Sequence, residues 1–369
     1  MTGPKDIFAS RTGIIMVGLA IGCIAASLQK LGNPPNMGVC VACFTRDIAG
    51  ALGLHRAGIV QYLRPEIPAF CLGAFVAALA FREFRPRTGS SPILRFVLGM
   101  CAMIGALIFL GCPWRAMLRL AGGDWNAILG IAGLVTGIGI GVVFLRVGFS
   151  LGRTYQSRFP VGLAMPVVML ILLLLAIFYP KFGDNAALYR SESGPGSMAA
   201  PVAISIIAGM IVGFLAQRTR FCTVGAFRDL ILMRDIHLLS GVIALVAAAF
   251  VMNLIFKQFD PGFVRTAADG TTSPQPAAHT VHWLNFTGMV LAGLSFCLAG
   301  GCPGRQVFLS GEGDGDAAMF VLGMLTGAAI SHNFLMVGNQ ALAPWAVVIG
   351  LVVVLTIGIT GRSVPAATG

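Results

Sequence analysis

The chain alternates long apolar runs with short polar or glycine-rich breaks. Apolar runs cover residues 12–29, 66–82, 96–111, 125–145 and 160–179 in the first half, and 199–216, 238–256, 284–300, 317–335 and 343–360 in the second. Each is close to the roughly 20 residues that a helix needs to cross a hydrocarbon core about 30 Å thick. The pattern therefore predicts an all-α polytopic membrane protein with about ten spanning helices. Lys5 and Arg11 precede the first run, as they would in a secretory signal. No convincing small-x-small cleavage site stands before Gln29 and Lys30, so a retained span is expected there.

Four stretches between the runs are too apolar and too short for ordinary loops. They are NMGVCVACFTRDIAGALGL (36–54), GCPWRAMLRLA (111–121), RTRFCTVGAFRDLILMR (218–234) and GCPGRQVFLS (301–310). Non-helical backbone at membrane depth survives only where protein buries it or a polar cavity wets it. Re-entrant half-helices are expected; short helices lying on the membrane surface are the alternative.

The chain also repeats itself. Cys40-x5-Arg46-Asp47-Ile48 matches Cys222-x5-Arg228-Asp229-Leu230, and Gly111-Cys112-Pro113-x-Arg115 matches Gly301-Cys302-Pro303-x-Arg305. Gly123-Asp124 matches Gly313-Asp314, and Gly133-x-x-Thr136-Gly137 matches Gly323-x-x-Thr326-Gly327. From Gly111 to Gly137 the offset stays at 190 residues, whereas Cys40 and Cys222 are 182 apart; a longer polar loop near 258–282 takes up the difference. Matched blocks in fixed order point to a duplication, with repeats at 1–180 and 181–369. Five spans per half is an odd number, so the second repeat is expected upside down relative to the first. Transporters built this way hold their sites near the midplane, where the repeats meet.

Charge supports this topology. With the N-terminus inside, the ordinary inner loops and tails carry Lys5, Arg11, Arg82, Arg85, Arg87, Arg95, Arg146, Arg153, Arg158 and Arg362, whereas the ordinary outer loops carry Lys181, Arg190, Lys257 and Arg265. That asymmetry predicts both termini in the cytoplasm. Composition agrees with a lipid environment: 57% of residues are hydrophobic and 11% charged, where soluble domains carry about 25% charged residues. The net charge of +11 does not indicate a nucleic-acid partner, because most arginines sit at the ends of apolar runs rather than on one water-exposed basic face.

Nine cysteines are present. Cys23, Cys71, Cys101 and Cys297 lie within apolar runs and read as small packing residues. Cys40, Cys43, Cys112, Cys222 and Cys302 stand beside Gly, Pro, Arg or Asp. In Gly-Cys-Pro-x-Arg, proline suits the first helical turn and glycine permits an unusual backbone before it. The thiol then lies near a helix N-terminus, which favours anions, and Arg115 or Arg305 either adds charge there or braces the loop. Arg46-Asp47 and Arg228-Asp229 read as ion pairs or caps that close a turn, since charges inside membranes are usually paired. Asp124 and Asp314 are expected to cap the helices that follow. Cys40-Val41-Ala42-Cys43 is a C-x-x-C, open to a redox dithiol, a metal pair or neither. Gly225 stands where a second-half partner of Cys43 would be. A membrane thiol oxidoreductase using Cys40 and Cys43 is the competing reading. No P-loop, GxSxG or HExxH is present, and no cofactor or metal is expected.

The segments RTRFCTVGAFRD (218–229) and LAGGCPGR (298–305) resemble motifs of the YeeE/YedE sulfur-transport family, whose thiosulfate importers carry RxRFC and GGC segments. NMGVCVACFTRD (36–47) and LGCPWR (110–115) extend the resemblance over nearly the whole chain, and residues 32–57 and 301–318 look most like the selenium-linked YedE branch. The resemblance implies inverted repeats with re-entrant loops meeting at mid-membrane, in a multi-pass protein of the bacterial plasma (inner) membrane. It also implies a small sulfur- or selenium-bearing anion that passes Cys40, Cys112, Cys222 and Cys302, and a TusA-like sulfur-carrier protein as partner. Unlike the thiosulfate importers, this chain has Cys-Pro followed by Arg in both GGC-like segments, and the extra Cys43.

Overall fold

A computed structural model describes residues 7–182, 185–266 and 271–361. Lys5 and Arg362, both counted in the inner charge, and the side chain of Lys181 lie outside the described residues. Long helices stand at the ten expected positions: α1 (Arg11–Lys30), α3 (Glu66–Ala80), α4 (Pro92–Phe109), α6 (Asn126–Arg146), α7 (Phe159–Phe178), α8 (Val202–Thr219), α10 (His237–Ile255), α11 (His282–Ala299), α13 (Gly315–Asn333) and α14 (Ala343–Thr360). Four short helices occupy the interrupted stretches: α2 (Val41–Ala51), α5 (Pro113–Ala121), α9 (Thr223–Met233) and α12 (Pro303–Gly311).

By length and composition, eight helical stretches among the described residues can cross a membrane, fewer than the ten read from the pattern. The difference lies in α3, which has only 15 residues, and in α13, whose Asp316 and His332-Asn333 ends lower its mean hydropathy. The short helices have 9 or 11 residues. At about 1.5 Å per residue they are roughly half as long as a hydrocarbon core is thick. Three of them lie inside the bundle, and the fourth enters it by its first turn. α2 is buried along its whole length, α5 and α12 along most of theirs, and α9 over its first turn.

Packing follows a simple rule. α1 runs along α10 and α3 along α8, while α4 runs along α13 and α6 along α11, with α4 and α11 also in contact. Exchanging α1 for α8, α2 for α9 and so on turns each of these pairings into another. The short helices obey the same exchange, since α12 packs on α3 as α5 packs on α10, and α2 on α13 as α9 on α6. α7 and α14 depart from it: α7 lies on α3 and α12, whereas α14 lies on α11 and α4.

Glycines permit this closeness. Gly133 and Gly137 of α6 press on the Phe286 and Val290 carbonyls of α11, and Gly323 and Gly327 of α13 press on the Phe96 and Met100 carbonyls of α4. A Cβ at any of the four would strike backbone, so the repeated Gly-x-x-Thr-Gly is a helix-crossing motif. Its threonines point outward and return their hydroxyls to their own helices, at Ala132 and Leu322.

The bundle buries several charged side chains in a largely apolar core and exposes apolar ones at its surface. Arg46, Arg64, Arg115 and Arg119 are among its largest fully buried side chains, while Ile171, Ile177, Ile243, Trp345 and Ile349 are exposed. Buried charges on this scale are rare in soluble domains. An apolar exterior is what a bilayer requires.

Small antiparallel ladders in the connections were not expected from the pattern. Arg87–Thr88 pairs with Tyr155–Gln156, Lys181–Phe182 with Asn185–Ala186, and Val264–Thr266 with Thr272–Pro274. Two of them lean on the repeated aspartates, through bridges from Arg87 to Asp314 and from Gly262 to Asp124.

Candidate functional site

Each short helix begins at a cysteine. Cys40, Cys112, Cys222 and Cys302 are the N-cap residues of α2, α5, α9 and α12. Pro113 and Pro303 fill the first helical position, where a missing N–H costs nothing. Three of the thiols accept the amide N–H three residues on: Cys40 from Cys43 at 3.3 Å, Cys222 from Gly225 at 3.2 Å and Cys302 from Arg305 at 3.4 Å. Serine, threonine, aspartate and asparagine are the ordinary residues for this position, and sulfur is a weak acceptor. Capping alone would not select cysteine four times.

The cysteines meet as two pairs. The Cys40 thiol lies 3.8 Å from that of Cys112, and the Cys302 amide donates to the Cys222 sulfur at 3.3 Å. Among the described residues, no hydrogen bond joins one pair to the other. An aromatic contact joins the segments that carry them: Trp114, two residues beyond Cys112, meets Phe221, which directly precedes Cys222, edge-on at 5.7 Å. All nine cysteines are free thiols. Cys71 lies 3.6 Å from the Ser310 hydroxyl, and Cys297 packs where α11 meets Gly141. Among the described residues, no cluster of three or more His, Cys, Asp or Glu side chains offers a metal site.

Two arginines at equivalent positions differ. Arg115 is fully buried; its guanidinium donates to the Leu110 carbonyl, to Pro276 O at 3.2 Å and to the Cys43 sulfur at 3.7 Å. It pairs with no carboxylate among the described residues, and its Nε has no partner. Arg305 instead meets Glu312 at 3.1 Å. Cys43, one turn after Cys40, thus sits beside a buried positive charge that among the described residues meets two carbonyls and this thiol but no carboxylate, an expensive arrangement unless an anion visits.

The remaining charged residues brace loops. Arg46 holds Asp47 Oδ1 at 2.7 Å, and Arg64, which sequence reasoning passed over, holds Asp47 Oδ2 at 2.8 Å. Arg64 also donates to Pro195 O and Met198 O, which draws the connection before α8 over the base of α2. His55 packs beneath. The Ala57 amide donates to its Nδ1, so its Nε2–H donates to Arg46 O at 3.1 Å. Burial, above all, holds this ring below the ordinary histidine pKa, so it stays neutral. Arg119 pairs with Asp124 at 2.6 Å, and Asp124 accepts the Asn126 amide. Asp314 caps α13 through the Asp316 and Ala317 amides.

The matching pair in the second half is more open. Arg228 and Asp229 pair at 2.8 Å with their side chains 29% and 13% exposed, while Arg46 and Asp47 stand at 2% and 0%. A cleft of about 390 Å³ adjoins the Cys222 segment there, lined among others by Glu83, Arg218, Arg220, Asp229 and His237. Arg218 pairs with Glu83 at 2.9 Å across its rim.

A polytopic helical membrane protein with repeated cysteine-tipped half-helices is the class that fold and site define. Residues 218–363 match the family model described as Sulphur transport. Over 112 residues it is 28% identical to the thiosulfate transporter TsuA of Spirochaeta thermophila, a match that covers 29% of this chain and 29% of that protein. The chain thus matches less than a third of that relative's length.

Proposed function

We propose that this protein carries a small sulfur- or selenium-bearing anion across the bacterial inner membrane, past the cysteine pairs Cys40–Cys112 and Cys222–Cys302. The observation that carries the reading is Arg115, a fully buried guanidinium without a carboxylate, placed against Cys43 at the first pair. A soft, polarizable anion suits this setting: thiols are weak donors and soft surfaces, and helix N-termini add positive potential. Transit needs contacts weak enough to release at each step, which successive thiols supply without forming a bond.

The exchange symmetry of the packing supports two inverted repeats of five spans, 1–180 and 181–369, with ten spans in all. In that frame both termini are cytoplasmic. α2 and α5 then enter from outside, and α9 and α12 from inside. The cleft beside Cys222 becomes the cytoplasmic mouth, where a TusA-like sulfur carrier would receive or deliver the cargo. The match of residues 218–363 to the Sulphur transport model and the likeness to a thiosulfate transporter support a sulfur anion; the selenium compound rests on sequence resemblance alone.

Labelled thiosulfate and selenite offered to cells with and without the gene test the reading. Faster entry of at least one of them is expected with the gene. Equal entry for both would sink it.

A further inference from the structure

Trp114 is the largest of the fully buried side chains, and its indole Nε1–H has no hydrogen-bond partner among the described residues. Buried indoles usually find an acceptor, because leaving the donor unpaired costs about 1–3 kcal/mol. The ring is held on several sides by Phe221, at 5.7 Å, Phe308, at 6.0 Å, and Phe70, at 6.3 Å. These come from the segment before Cys222, from α12 and from α3. The counterpart of Trp114 at the 190-residue offset is Gly304, and a Cβ there would lie 3.3 Å from Trp114 Cζ2. One repeat supplies the bulk and the other the room for it. A second unpaired buried donor, the Thr223 hydroxyl, follows Cys222 directly.

We infer that Trp114 divides the path between the two cysteine pairs and that its indole N–H receives the anion as it crosses from one pair to the other. The inference rests on the transport reading above. With Cys112 two residues before it and Phe221, which leads into Cys222, against its edge, the indole stands where the start of α5 meets the segment that opens α9. A small anion accepts a hydrogen bond there with no proton transferred and no bond made. The ring must shift for the anion to pass, and Gly304 borders the space into which it can move.

Thiosulfate is the probe. With Trp125, Trp283 and Trp345 changed to phenylalanine, each at least 43% exposed, Trp114 is the remaining tryptophan of four. Its emission is expected to change saturably as thiosulfate is added to the purified protein. Trp114→Phe keeps a ring and removes the N–H, so KM for uptake should rise about tenfold with Vmax nearly unchanged. A purely structural ring would lower the amount of folded protein and leave KM alone. A wild-type KM in Trp114→Phe overturns the inference while transport stands. So does an emission that thiosulfate leaves unchanged in a protein that still carries it, which decides the matter if Trp114→Phe does not fold. Absence of uptake of both thiosulfate and selenite by the unaltered protein overturns both readings, and absence of thiosulfate uptake alone overturns the inference.

Discussion

Arg115→Gln is expected to cut uptake of the anion a hundredfold or more at low substrate concentration while the protein still folds. The reasoning begins with charge balance. Arg115 is completely buried, and its guanidinium faces two carbonyls and a thiol but no carboxylate. Two unit charges about 4 Å apart interact by about 4 kcal/mol at an effective dielectric constant near 20. That is ample for a hundredfold effect, which needs only about 2.7 kcal/mol. Removing an uncompensated buried charge costs a fold little and can stabilise it, so the loss should appear in transport and not in protein level. Arg115→Lys should fall between, because the charge remains and the planar fork is lost. Arg305→Gln should do less, since Arg305 is already neutralised by Glu312 and that carboxylate keeps Arg87 at 3.7 Å. Uptake by Arg115→Gln at the normal rate would show that this charge does not serve the anion.

The second large effect concerns the fold. Gly327→Leu and Gly137→Leu should each remove most of the folded protein from the membrane, as read by detergent-extracted monodisperse material. A side chain at either position would meet helix backbone, at Met100 or at Val290. Overpacking of a filled interior costs about 1–3 kcal/mol even where neighbours can move, and a partner helix held along its length moves little. Thr326→Val and Thr136→Val, in the same motif but facing outward, should be nearly silent. Equal losses for the glycine and threonine variants would contradict the crossing assigned to Gly-x-x-Thr-Gly.

Much of the fold was legible because lipid imposes a simple code of run lengths. The ten long runs became ten long helices, and the four interruptions became short helices, each begun by the cysteine its motif singled out. Helix polarity explains the second result. Gly-Cys-Pro can start a helix but cannot continue one, and the thiol falls at the cap. Pairing of the cysteines was not legible, since the approach of α2 to α5 and of α9 to α12 is set by packing between distant segments. The two Gly-Cys-Pro-x-Arg motifs read alike, yet Arg305 finds Glu312 whereas Arg115 finds no carboxylate. The signal lay seven residues on, where Gly122 stands opposite Glu312 at the same offset of 190. Trp114 opposite Gly304 was visible in the same alignment of repeats and looked like an unconstrained position. Arg64 was hidden in an irregular connection, with no period to mark it.

The most direct test of the central claim is uptake of labelled thiosulfate by the double variant Cys222→Ala, Cys302→Ala, at protein levels matched to the parent. Cys222→Ser, Cys302→Ser serves as the folding control, because serine retains the cap at the N-termini of α9 and α12. If the thiols carry the anion, uptake by the alanine pair falls to the level of cells without the gene. Full uptake by the alanine pair would contradict a path through these cysteines.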